Sequence, residues 1–88
     1  MHLTDQQAAT RAADQQNELG ALRAVLAASK AHLSAIANKR HAVLMLRSVT
    51  NFGVASEDLI RDVARATLNV DRAEAYLMDV INRAEATQ

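Results

Sequence analysis

Apolar residues recur at Leu59, Val63, Ala66, Val70, Ala73, Leu77, Val80 and Ala84, stepping by four and three without a miss through the last third of the chain. Side chains three and four residues apart share one face of a helix, so this spacing predicts a long amphipathic helix with a coiled-coil seam. The alanines in the seam let a partner helix approach closely. An earlier run, Leu19, Leu22, Leu26, Ser29, Leu33 and Ile36, carries the same period and is flanked by Ala21, Val25, Ala28 and Ala35. That broader stripe predicts a first helix that meets more than one neighbour.

The ends of both helices are marked. "TDQQ" from Thr4 has the T-x-x-Q form of a capping box, in which the Thr4 hydroxyl accepts an amide of the first turn and Gln7 reaches back, with Leu3 placed as a staple. Ala, Leu, Gln, Arg and Lys dominate the next 45 or so positions, all good helix formers, and the chain has no Pro. Gly20 costs about 1 kcal/mol relative to Ala inside a helix, and no capping residue follows it to start a new one. One helix weakened at Gly20 is the economical reading. The clear break is "SVTNFGVASED", where Asn51 and Gly53 suit a left-handed C-terminal cap and Ser56 suits the next N-cap. Glu57 and Asp58 then fall in a first turn, where the helix dipole favours negative charge.

The chain therefore reads as all-α, a single domain over 1–88. It is an antiparallel helical hairpin with a long helix at about 5–50, a turn at about 51–56 and a helix at about 57–85, expected to pair into a four-helix bundle or coiled-coil dimer. The residues of the hairpin or dimer seam are Leu19, Leu22, Leu26, Leu33 and Ile36 on the first helix and Val63, Val70, Leu77 and Val80 on the second. A turn near Gly53 brings Glu85 beside Leu22, so residues 1–18 overhang as an arm that their own hairpin does not cover. With Ala but no large apolar residue, that arm reads as a fraying polar helix or as a surface for a partner on its Ala face, Ala8, Ala9 and Ala12.

Composition sharpens this picture. Half of the chain is apolar, but much of that is Ala; Phe52 and Tyr76 are the only aromatics, and there is no Trp or Cys. A chain of 88 residues with so thin a core is marginal alone, and self-association is a natural remedy. Without Cys there is no disulfide and no thiolate chemistry. No apolar run approaches the ~20 residues that span a bilayer, and "MHLTDQQ" has no basic flank leading into an apolar segment, so the expected location is cytoplasmic with no membrane partner. Met45 and Met78 are expected to fill gaps beside the core and Tyr76 to cover the seam edge.

Charge is polarised although the formal net charge is zero. Between Leu19 and Ser56 the fixed charges are Arg23, Lys30, Lys39, Arg40 and Arg47, with no acid, whereas the segment from Glu57 carries seven acids against four arginines. In a hairpin, Arg40 and Arg47 would meet Glu57, Asp58 and Asp62 across the turn and so choose register and orientation. Lys30, Lys39 and His41 remain as candidate contacts for an acidic partner. The alternative use of this stretch is nucleic-acid binding through Lys30, Lys39, Arg40, His41 and Arg47, against which stand the zero net charge and the lack of an aromatic platform.

Catalysis and cofactors find no foothold. His32 and His41 are nine residues apart, which does not place two ligands on one helical face, and no Glu-x-x-His pair, phosphate-cradling loop or nucleophile motif occurs. The reading is a non-enzymatic protein–protein interaction module of the adaptor, small chaperone or inhibitor type, binding no cofactor and acting as a homodimer with a further protein partner. A small dimeric nucleic-acid binder and a subunit of a larger bacterial or phage assembly are the alternatives.

Overall fold

The computed structural model describes residues 5–53 and 56–86. Two helices, α1 (Asp5–Thr50) and α2 (Glu57–Ala86), pack along one another as a hairpin. At 1.5 Å per residue they are about 69 and 45 Å long, and the molecule measures 76 × 15 × 14 Å. Its radius of gyration is 21.3 Å, against about 12 Å for a globular chain of this length. The molecule is a rod, and burial is confined to one line of contact between the two helices.

The turn is built as the sequence predicts. The last turn of α1 closes with the Asn51 amide donating to the Arg47 carbonyl at 3.0 Å. It then tightens to three-residue steps, Phe52 to Val49 at 3.1 Å and Gly53 to Thr50 at 2.9 Å. Gly53 takes φ 77° and reverses the chain, a conformation that costs an L residue about 1–2 kcal/mol. Asn51 does not share it, so the left-handed cap falls to the glycine alone. Ser56 caps α2, its hydroxyl accepting from the Leu59 amide at 3.2 Å and its carbonyl from the Ile60 amide at 3.0 Å. The expected box at Thr4 and staple at Leu3 lie outside the described residues.

All eight predicted seam positions of α2, from Leu59 to Ala84, are buried or half-buried. Of the two seams open to the leucines of α1, hairpin or dimer, the hairpin seam is made by other residues. Its covered residues are Ala21, Val25, Ala28, His32, Ala35, Lys39, Ala42, Leu46 and Val49, a run as regular as that of α2. Leu19, Leu22, Leu26 and Leu33 are exposed and lie outside the hairpin seam, and Ile36 is half-buried at its edge. Among the described residues only Ala28, Ala66 and Val80 are buried, so the core is a thin alanine-rich strip. Met45 and Met78 do not fill it; both are exposed.

α1 runs through Gly20 without a break, and residues 6–20 are all exposed, so the predicted arm is a helical extension beyond the end of α2. A Cβ built on Gly20 meets nothing within 4 Å. Gly20→Ala is therefore expected to strengthen α1 by about 0.5–1 kcal/mol through backbone entropy alone. The readouts are greater ellipticity at 222 nm and a melting point raised by roughly 4–8 °C per kcal/mol. An unchanged melt would place the weak point of the helix elsewhere.

Candidate interaction surface

The turn and α2 set the rotation of α1, and that rotation decides which residues are left over. Ala21 and Ala24 of α1 line one open cleft with Tyr76, Val80, Arg83 and Ala84 of α2, a space of about 250 Å³ at the end of the hairpin where the arm departs. Ala21 and Ala84 share this cleft, two residues from the register expected from the turn, in which Glu85 falls beside Leu22. Tyr76 stands at the rim of the cleft, exposed. With Ala21, Val25 and Ala28 directed at α2, residues one position further on lie about 100° round the helix, on its flank and outside the contact line.

Those residues form the most prominent surface feature. Leu19, Leu22, Leu26 and Leu33 are 51%, 59%, 56% and 64% exposed, and they follow one another at spacings of three, four and seven along α1. Ser29 and Ile36 complete the row at its border with the hairpin seam, both half-buried. Leucines at helical spacing in water are the signature of an uncovered contact face, since scattered single exposures do not align. The same row continues toward the turn as Arg40, Val43 and Arg47 and into the arm as Gln15, Ala12 and Ala8, all of these but the half-buried Val43 exposed.

That geometry changes the role of the charges. Among the described residues the ion pairs are Arg61 with Asp58 at 3.9 Å and Arg83 with Asp79 at 3.0 Å, both within α2 and well solvated. Arg40 and Arg47 do not pair with Glu57, Asp58 or Asp62, contrary to expectation. The reason is positional: both arginines belong to the leucine row, which lies on the flank of α1 outside the seam with α2, and Asp58 has a partner one turn along its own helix. The other basic residues are dispersed. Lys39 is half-buried in the hairpin seam, as is His32 two turns before it, whereas Lys30 and His41 are exposed on the side of α1 opposite α2. Ala8, Ala9 and Ala12 are all exposed on the arm, and only Ala8 and Ala12 share the leucine row.

Residues suited to chemistry are not gathered. Among the described residues no three of His, Asp or Glu come together as a metal site, and no helix is long and apolar enough to cross a membrane. The sequence cue for the true α1 seam was present in the run from Ala21 to Val49, but His32 and Lys39 interrupt its apolar character and the leucine row outweighs it. Comparison of the chain with family models, with curated proteins and with solved structures finds no match in any of the three.

Proposed function

We propose that this chain is a non-enzymatic helical interaction module that works as a homo-oligomer and uses the leucine row of α1 as its contact face. The exposed row Leu19, Leu22, Leu26 and Leu33 carries the reading, because four large apolar side chains aligned along a helix gain most by being covered. The hairpin itself adds support: a core with three buried residues among those described, two of them Ala, leaves an 88-residue chain marginal, and association stabilises it by mass action. The basic residues favour a protein partner over a nucleic acid. Lys39, the pair Arg40 and Arg47, and the pair Lys30 and His41 lie on three different sides of α1, so they form no continuous track for a phosphate backbone.

Sedimentation equilibrium tests this reading directly. A mass near twice the 9.5 kDa of the chain, or a higher multiple, is expected at micromolar concentration. A concentration-independent 9.5 kDa species with a cooperative melt would remove it.

A further inference from the structure

We propose that the occupant of the leucine row is a second copy of α1 running antiparallel, with Leu19 of each copy opposite Ile36 of the other, Leu22 opposite Leu33 and Leu26 opposite Ser29. The inference rests on the self-association reading above and gives it a geometry. A two-fold axis makes every such contact occur twice, and the axis crosses α1 between Leu26 and Ser29. The row is symmetric about that point, so each of its large side chains meets another member of the row.

Two further observations select the same arrangement. The register that matches the leucines also places Asp5 opposite Thr50, the two ends of α1, so the 46-residue helices overlap over their whole length with no overhang. Charge agrees with it. The arm, residues 5–18, carries Asp5, Asp14 and Glu18 against Arg11, while the opposing residues 37–50 carry Lys39, Arg40 and Arg47 and no acid. An antiparallel pair lays the acidic arm of one copy along the basic half of the other, whereas a parallel pair would stack like on like along both. Arg40, which pairs with no carboxylate among the described residues, then has Asp14 and Glu18 of the other copy within a turn of Gln15, the residue opposite it, and the small residues Ala8 and Ala12 leave room for the stem of Arg47 and for Val43.

The chain has no Cys, so introduced thiols report on proximity without background. Ala12→Cys and Val43→Cys, made in separate chains, probe positions that this arrangement places opposite one another, within the 4.4–6.8 Å Cα separation a disulfide accepts. Oxidation of an equimolar mixture is expected to give a covalent dimer holding one chain of each variant, while either variant alone stays largely uncross-linked. Ala8→Cys with Arg47→Cys repeats the test at two exposed positions, should the half-buried Val43 not tolerate the change. Efficient cross-linking of each variant with itself would mean parallel pairing and overturn the proposal. A protein that sediments as a dimer but yields no mixed disulfide from either pair would overturn it while leaving self-association intact. A monomer by sedimentation would sink both.

Discussion

Leu77→Asp is expected to abolish the cooperative melt of the hairpin. Leu77 sits in the α2 seam, half-buried, with the buried Val80 three residues on and the half-buried Ala73 four before. No Lys or Arg stands three or four residues from it in either direction, and Glu74, three residues before, would add repulsion on its side of the helix. The substitution removes a leucine worth roughly 1.5–3 kcal/mol when fully covered. It also leaves a carboxylate in the contact line without a cation, which costs several kcal/mol more where water is excluded. Total stability for a chain of this size is on the order of 4–13 kcal/mol, and the thin core argues for the lower end. Circular dichroism at 222 nm should show a low, non-cooperative signal. Leu68→Asp is the matched control, since Leu68 lies on the same helix outside the seam and is exposed; it should keep its helicity at a modest cost in melting temperature. Equal damage from the two would mean that the α2 seam does not hold the fold.

The seam that makes Leu77 so sensitive was fully legible in the sequence, and the reason lies in what surrounds it. Most of the other positions of α2 carry charge, Ala or Asn, and the exceptions Ile60, Thr67, Leu68, Tyr76, Met78 and Ile81 form no unbroken run at that spacing, so a single face stands out. The turn was equally readable, because Gly53 and Ser56 each do one job that few other residues do. On α1 the pattern left two choices. Two stripes run side by side there, and the one with larger side chains is the one left in water. A hairpin seam of Ala21, Ala28, Ala35 and Ala42 suits close approach of the helices but carries little hydrophobic weight, and His32 and Lys39 disguise it further. Only the phase imposed by the turn and by α2 settles which stripe lies inside. The cross-turn ion pairs expected for Arg40 and Arg47 failed for the same cause: once the leucine row turns outward, its arginines turn with it.

That outward turn has a consequence large enough to measure. Leu26→Glu combined with Leu33→Glu is expected to leave the hairpin folded and to dissociate the oligomer. Neither residue belongs to the seam with α2, and Glu has nearly the helix propensity of Leu, so the isolated hairpin loses little. In a dimer that covers the row, the pair of substitutions removes four leucines at once. Each is already about half-covered, so the further burial lost is roughly 0.8–1.5 kcal/mol per side chain, or about 3–6 kcal/mol in all. At 1.4 kcal/mol for each tenfold change, the dimer weakens by about 10²–10⁴-fold, before the repulsion between introduced carboxylates is counted. Sedimentation should move to the mass of a single chain at concentrations where the parent protein is associated. The melting temperature should fall and lose its dependence on protein concentration, because the stabilisation that association supplies by mass action is gone. A double variant that sediments like the parent would show that the leucine row is not the contact face, and the two-fold pairing of α1 would fall with it.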